Sequence, residues 1–255
     1  TVEQMRQFFN VHYSPGNIAL AAAGDIDFDR LVRDAERLCG SWENLPIARQ
    51  TAVADYQTGF ENLAKPSSQQ HYLLQLAPGP SNADPRRYAM RVATAILGDD
   101  CGSRMYWKLL DTGLAESAGA GSYEYCDNGL VMSFVCCDPE FSRQNLDILG
   151  QMQNQMQADG VTEKELALAK RKIESQIVLA SERTENRMFS VGSHWLSGQP
   201  FKSVAEVVAL YQALSLADVN EAIRSFPLTR NFTLFVGPDD SFFDLAGLAS
   251  GARTT

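Results

Sequence analysis

Two apolar periodicities run along this chain, one with the spacing of a helix face and one with the spacing of a buried strand. The helical spacing is clearest at Phe28, Leu31, Val32 and Leu38, which follow the helix-capping residue Asp27. Short apolar runs bounded by turn residues predict strands instead. The predicted strands are residues 18–23, 71–77, 115–125, 130–137 and 231–236.

Capping patterns and helix-forming composition predict further helices. Thr1-Val2-Glu3-Gln4 fits a capping box, and Thr162-Glu163-Lys164-Glu165 fits a second. The second box opens the longest helical signal in the chain, which extends to about Trp195. The predicted helices are residues 1–13, 28–39, 84–97, 103–110, 139–158, 162–195, 203–213 and one that begins after the capping segment 215–218.

Consecutive strands predict an antiparallel hairpin in the middle of the chain. The strands at 115–125 and 130–137 are joined by the turn Cys126-Asp127-Asn128-Gly129, and such short connections join antiparallel neighbours. Helices follow these strands in runs rather than in strict alternation with them. The pattern therefore predicts an α+β fold, with a mainly antiparallel sheet and helices packed on one face.

The same pattern predicts how the chain is divided. Residues 1–42 form a helix-strand-helix unit with too few strands to make a sheet alone, and we interpret them as the end of a preceding half-domain. The turn-rich residues 43–66 are predicted to be a linker. Residues 67–238 are predicted to form a second α+β domain, and residues 239–255 a flexible tail.

Composition excludes some classes of partner. The chain has 22 Lys and Arg against 31 Asp and Glu, for a net charge of -9, which argues against nucleic acid and anionic membrane surfaces. No apolar run reaches the roughly 18 residues that span a bilayer. The five cysteines contain no CxxC pair and are predicted to be reduced, which favours a cytoplasmic over a periplasmic setting.

No catalytic constellation is visible in the sequence. The three histidines, His12, His71 and His194, are scattered, and neither HExxH nor HxxEH occurs. No Ser lies in a GxSxG turn. Gly119-Ala120-Gly121 is not followed by a helix start and so does not form a phosphate loop. We therefore predict no catalytic residue and no metal ligand in this chain.

Three segments nevertheless resemble zinc peptidases of the insulinase/pitrilysin family, of the mitochondrial-processing-peptidase-like type. They are TVEQMRQFFNVHYSPGNIALAAAGDID from residue 1, CGSRMYWKLLDTGLAESAGAGSYEYCDNGL from residue 101 and GVTEKELALAKRKIESQIVLASERTENRMFSVGSHWLSGQP from residue 160. The first is similar to the family's helix, Tyr-x-Pro-x-Asn, apolar strand and Gly-Asp. The second is similar to its "GSRLfqxLRexxGLAYsv" helix and hairpin. The third is similar to its long "ltexELxrAK" helix.

The resemblance implies a protein built from two similar α+β halves that face each other. The first half carries an inverted HxxEH zinc motif and a downstream Glu ligand, and this chain would begin after them. The chain would then be the non-catalytic second half, inactive alone, enclosing a peptide substrate opposite an HxxEH-bearing N-terminal half or partner subunit. Zinc would be held in that partner half and no cofactor in this chain; a dimer is also compatible with the resemblance.

The family's second half often places an Arg and a Tyr near the bound substrate, in the "LR…GLAY" segment. In this chain the Arg position falls on Leu109 or Leu110 and the Tyr position on Glu116, so the usual assistance to the tetrahedral intermediate is in doubt. Glu116 is a candidate substrate-binding residue that sets charge preference, or else an exposed residue at a strand start. Arg104 is a second candidate, as a substrate contact or a surface charge.

Two further readings stay open at this stage. Core subunits of respiratory complexes share this fold without proteolysis, which makes a non-proteolytic scaffold subunit the alternative function. An independent hydrolase with a site unlike the family's is the third possibility. The edge strand of the hairpin at 115–124 could also pair with an extended substrate backbone.

Overall fold

The computed structural model describes residues 1–45 and 55–238. These residues form two compact units, one built from 1–45 and 175–207 and the other from 55–174 and 208–238. Within the described ranges, no helix combines the length and the apolar character needed to cross a membrane.

A five-stranded sheet is the centre of the larger unit. Its strand order is β1-β5-β2-β4-β3, with β1 and β5 parallel and every other neighbouring pair antiparallel. The mainly antiparallel sheet and the β3–β4 hairpin predicted from the sequence are thus confirmed. The strands are β1 (Gly59–Ala64), β2 (His71–Gly79), β3 (Ser117–Glu124), β4 (Gly129–Cys137) and β5 (Phe232–Gly237).

Eight α-helices occur in the described part of the chain. A short π-helical turn, Tyr106–Leu110, precedes β3 and closes with a hydrogen bond from the Asp111 backbone N–H to the Tyr106 carbonyl oxygen, 2.8 Å. The helices are α1 (Val2–His12), α2 (Phe28–Cys39), α3 (Arg87–Gly98), α4 (Ser142–Asp159), α5 (Glu163–Ser181), α6 (Thr184–Leu196), α7 (Val204–Ala213) and α8 (Leu216–Ser225).

The hydrophobic core lies between one face of the sheet and helices α3, α4 and α8. We call the sheet face that points to these helices the inner face. Leu73, Val135 and Phe235 on the inner face are almost completely buried, as the strand alternation requires. The core also contains a polar layer, in which Gln153 on α4 donates to Gln75 (2.8 Å) and Gln75 donates to Thr233. This arrangement confirms the predicted α+β class, with helices packed against the sheet.

The predicted strand at 18–23 is wrong. Strand backbone groups need a neighbouring strand for their hydrogen bonds, and none of the described residues forms a ladder with this segment. Ile18 keeps an extended conformation, and Leu20 is largely exposed. The residues thus have the apolar pattern of a strand, but no described strand lies beside them to accept and donate its hydrogen bonds.

The linker predicted at 43–66 contains a strand, β1, that the sequence analysis missed. β1 is a short edge strand whose partner β5 lies far away in sequence, so local periodicity gives little signal for it. The wider division of the chain into domains stays a prediction, and the tail at 239–255 lies outside the described residues.

The single long helix predicted at 162–195 is also wrong, because two helices meet at Glu182 and Arg183. Side chains from the start of α6 satisfy carbonyl groups at the end of α5 and so stabilise the break. Asn186 donates to the Ala180 carbonyl at 2.8 Å, and Arg187 donates to the Ser181 carbonyl at 2.6 Å.

The predicted end of β2 at Ala77 is two residues short. β2 pairs with β5 only as far as Leu76, whereas its pairing with β4 continues to Gly79. Pro78 therefore lies where the strand has a sheet neighbour on one side alone, a position in which proline is tolerated.

Candidate functional site

The sheet face opposite the helices, here called the outer face, is unusually apolar. Alternation along the strands places large side chains on it in register, so that Tyr72, Leu74 and Leu76 of β2 lie beside Cys136, Phe134 and Met132 of β4. Leu74, Leu76 and Met132 are half-buried, and Cys136 is buried. Tyr72 and Phe134 are 48% and 37% exposed. β5 extends the same surface. Its contributing side chains are Phe232, Leu234 and Val236.

Acidic residues lie at both edges of the outer face. Glu61 of edge strand β1 is in register with Leu234 and is exposed. Glu116 lies directly before β3 at the opposite edge, where its backbone N–H donates to the Cys136 carbonyl, 2.9 Å. The outer face is therefore an apolar surface with a carboxylate at each edge.

The Glu116 carboxylate ends a chain of polar side chains. The side-chain amide N–H of Gln70 donates to it, and the side-chain amide oxygen of Gln70 accepts from the Cys136 thiol at 3.0 Å. Burial, with the negative charge of Glu116, raises the pKa of Cys136. The raised pKa favours the protonated thiol, which is a weaker nucleophile than the thiolate. Among these residues, Glu116 is the one that offers a charge to a ligand.

Arg104, the second sequence candidate, is held by an ion pair. Its Nε donates to Glu165 at 2.7 Å and its Nη2 donates to the same carboxylate at 3.1 Å and to the Gly160 carbonyl at 3.0 Å. Burial alone would raise the pKa of Glu165, but hydrogen bonds from Arg104 and Thr162 lower it. The structure thus gives Arg104 an anchoring role, while its remaining nitrogen, Nη1, faces no acceptor within the described residues.

Leu109 and Leu110, the two alternatives for the Arg position that the resemblance implies, differ in burial. Leu109 is fully buried in the core, and Leu110 is half-buried at the end of the π-helical turn. The ordinary helix predicted at 103–110 is therefore wrong in its second half, where the chain forms the π-helical turn. Neither leucine can donate a hydrogen bond to a substrate. Glu116 and Arg104 belong to separate groups of contacts, so the structure does not bring the two candidates together.

The edge of the hairpin is crowded by the end of α3. A Cβ placed on Gly98 would lie 2.4 Å from the backbone N of Ala120, and one placed on Gly119 would lie 2.7 Å from the Phe134 ring. The glycines thus allow α3 to pack against β3 on one side and Phe134 to cover it on the other. The outer face offers a more open surface to a peptide than this part of the strand edge.

The histidines occupy three unrelated positions. His71 is buried on the inner face with its Nδ1 2.6 Å from the Ser142 hydroxyl, whereas the His194 Nδ1 lies 2.7 Å from the Ser190 carbonyl oxygen. His12 packs against Phe8 on α1. No group of three or more His, Cys, Asp or Glu within the described ranges could hold a metal ion. The described donor set therefore does not fit a zinc site.

Comparison with known proteins identifies the family. Residues 1–173 match the family model described as the peptidase M16 inactive domain, and the chain belongs to this family. Two curated relatives are an uncharacterized zinc protease of Streptomyces coelicolor, 27% identical over 247 residues, and the uncharacterized zinc protease YmxG of Bacillus subtilis, 25% identical over 233 residues. These alignments cover 93% and 91% of this chain but 54% and 56% of the relatives.

Solved structures show the same fold. A peptidase M16 inactive domain from Pseudomonas fluorescens superposes with a TM-score of 0.83 at 20% identity, covering 94% of this chain and 57% of that one. A chain of complex III2 from Candida albicans gives a TM-score of 0.70 at 17% identity, over 86% of this chain and 54% of that one. The chain thus spans little more than half the length of its relatives.

Proposed function

We propose that this chain is the non-catalytic half of a zinc-dependent peptidase and that its outer sheet face lines the space that receives the peptide. The apolar outer face with carboxylates at its edges is the observation that carries this proposal. Such a surface contacts extended chains with little dependence on sequence, because apolar burial is non-directional. Zinc and the groups that activate it would be supplied by an HxxEH-bearing half.

Exposed apolar residues in the smaller unit support the existence of that half. Helices α1 and α2 bury none of their side chains, and Met5 and Phe28 are 73% and 72% exposed. Large contiguous apolar surfaces of this kind mark interaction sites. We propose that the HxxEH-bearing half covers them and that it supplies the strand partner for residues 18–23. The relatives are long enough to contain such a half.

Glu116 is proposed to set the charge preference of the peptide. Its carboxylate is exposed at the edge of an apolar surface, where a Lys or Arg side chain could reach it while the neighbouring residues of the peptide cover Tyr72 and Phe134. Electrostatic contacts of this kind contribute to specificity more than to affinity. Arg104 is proposed to act in substrate binding only through its one nitrogen without an acceptor.

Peptide hydrolysis tests the proposal. We expect this chain with zinc to be inactive, the HxxEH-bearing half alone to be weakly active or inactive, and the mixture to cleave peptides. A parallel mixture with the zinc-ligand histidines of the partner half changed to Ala controls for contaminating proteases. Cleavage by this chain alone would reject the proposal, as would a silent mixture in which the two halves are shown to associate.

A scaffold role is the second candidate. It is favoured by the family resemblance, in which Leu109 or Leu110 falls at the Arg position and Glu116 at the Tyr position, and by the similarity to a chain of complex III2. A scaffold subunit would bind its partner stably and would not respond to peptide. The same mixing experiment separates the two roles, since association without hydrolysis favours the scaffold.

A further inference from the structure

A cleft of about 570 Å³ opens between the segment that follows α3 and the first half of α5. Its walls are largely apolar, and two of their side chains, Trp107 and Leu168, are 58% and 55% exposed. The volume lies within the range of about 300–1,000 Å³ typical of ligand sites. Neither Trp107 nor Leu168 takes part in the outer face, so the proposed peptide surface does not explain them.

Most charged side chains around the cleft already have an ion-pair partner. Asp99 pairs with Lys172 at 2.9 Å, and Glu165 pairs with Arg104 at 2.7 Å. Burial would lower the pKa of Lys172, but hydrogen bonds to Asp100 and Asp99 raise it, so the ammonium stays charged. Both acids that line the cleft are therefore already neutralised. Lys172 is shared with Asp100, which lies beside the cleft, so the cations and carboxylates around it are equal in number. Lys164 is the lining cation that forms no ion pair with another described residue.

The guanidinium of Arg104 provides a second, independent indication of a ligand. Its Nη1 is buried and makes no hydrogen bond to any of the described residues, while Nε and Nη2 are both used. A buried charged donor without an acceptor is costly, and such groups in native structures call for an explanation. Arg104 is also one of the residues that line the cleft, so an acceptor bound there would supply the hydrogen-bond partner that Nη1 lacks.

We propose that this cleft binds a carboxylate attached to an apolar group, as in the C-terminal residue of a peptide. The carboxylate would accept hydrogen bonds from Arg104 and Lys164, and the apolar group would pack on Trp107 and Leu168. Lys164 is the lining cation outside an ion pair, and its single charge suits a carboxylate better than a phosphate dianion, which would add negative charge beside Asp99, Asp100 and Glu165. The peptide source of the ligand rests on the proposed function; a free carboxylic acid shares the same chemistry.

Fluorescence of Trp107 tests this assignment. The chain has three tryptophans, so the changes Trp42→Phe and Trp195→Phe leave Trp107 as the only reporter. This protein is titrated with acetyl-Ala-Ala-Leu as the free acid, with the same peptide as its C-terminal amide, and with 4-methylpentanoate. We expect the free acid to bind about tenfold more tightly than the amide, because a charged acceptor makes the stronger hydrogen bonds. Binding of 4-methylpentanoate as tight as the peptide would identify a free carboxylic acid as the ligand.

A pair of lysine variants shows whether the binding is local to the cleft. Lys164→Gln is expected to weaken the free acid about threefold to fivefold and to leave the amide unchanged. Lys108→Gln, next to Trp107 in sequence but not in the cleft lining, is expected to change neither. Equal affinity for acid and amide, or no response of Trp107, would overturn the proposal. The hydrolysis assay is separate, so a silent mixture with selective acid binding would reject the proposed function and leave the cleft assignment standing.

Discussion

Arg104 and Glu165 form a two-bond ion pair that joins the segment before the hairpin to the first turn of α5. The same Glu165 carboxylate accepts from the backbone N–H and the hydroxyl of Thr162, each at 2.8 Å, and so completes the capping box of α5. One carboxylate therefore fixes a helix start and an ion pair at once. Through this pair, α5 positions the wall of the cleft and the segment that leads to Glu116.

Removing Arg104 is expected to destabilise the fold. Arg104→Met leaves Glu165 without its charged partner, and we expect the free energy of unfolding to fall by about 2 kcal/mol, below the value for a fully buried pair because both side chains are partly exposed. Urea unfolding followed by circular dichroism measures the change. Arg37→Met, which breaks an exposed pair with Asp34 on α2, serves as the control and should cost less than about 0.5 kcal/mol. An equal loss in the free energy of unfolding for the two variants would show that the Arg104–Glu165 pair contributes no more to stability than an exposed ion pair.

Acid is expected to weaken the same interaction. The folded state lowers the pKa of Glu165, so its contribution to stability is complete above the unfolded value of about 4.3 and is lost as pH falls through the lower, folded value. Glu165→Gln should therefore be less stable than wild type at pH 7, and the gap should narrow steadily from pH 5 to pH 3. Urea midpoints for both proteins across this range measure it. A constant gap would mean that the charge of Glu165 is not what stabilises the fold.

The sequence predicted most of the fold because its strongest signals are local. The capping boxes at Thr1 and Thr162 appear in the structure as predicted, as does the β3–β4 hairpin. The failures have a shared cause, because a strand needs a partner that no local pattern reveals. β1 pairs with the distant β5, and residues 18–23 have a local strand pattern but no partner among the described residues. The break at Arg183 escaped because its stabilising contacts come from side chains three or more residues later.

The candidate site was less accessible to sequence reasoning than the fold. Glu116 and Arg104 came from a family resemblance, and nothing in their spacing showed that Gln70 would reach Glu116 or that Glu165 would pair with Arg104. Both contacts are long-range, so they follow only from the folded arrangement. The apolar outer face is also absent from the predictions, although β2 and β4 carry large apolar side chains at both alternating sets of positions and so contain a local signal for it.

Gly98 is expected to tolerate no side chain. The Cβ of Gly98→Ala would lie 2.4 Å from the backbone N and 2.8 Å from the Cβ of Ala120, so α3 must move away from β3. We expect a loss of about 2–3 kcal/mol in the free energy of unfolding. Gly150→Ala in the middle of α4 is the matched control, since no atom lies within 4 Å of its new Cβ; there the helix propensity of Ala should raise stability by about 0.5–1 kcal/mol. Thermal or urea unfolding of both variants measures whether the free energy of unfolding falls for Gly98→Ala and rises for Gly150→Ala. An unchanged stability of Gly98→Ala would contradict the close packing of α3 on the hairpin.

Glu116 is expected to discriminate between peptides by charge. If an extended peptide lies on the outer face, Glu116→Gln should weaken binding of a fluorescein-labelled apolar peptide with one Arg by about threefold to fivefold, an effect typical of an exposed ion pair. The same peptide with Gln in place of Arg should be unaffected. Glu116→Lys should reverse the preference, so that a peptide with Glu binds better than one with Arg.

Fluorescence anisotropy at low and high salt measures the affinity of each peptide for wild type and for the two Glu116 variants. The difference in affinity between the charged and neutral peptides should shrink at high salt, because the charges are exposed. Glu221→Gln provides the control, because Glu221 is exposed on helix α8 and is not on a strand of the sheet. An equal effect there would mean that net charge rather than Glu116 governs the preference.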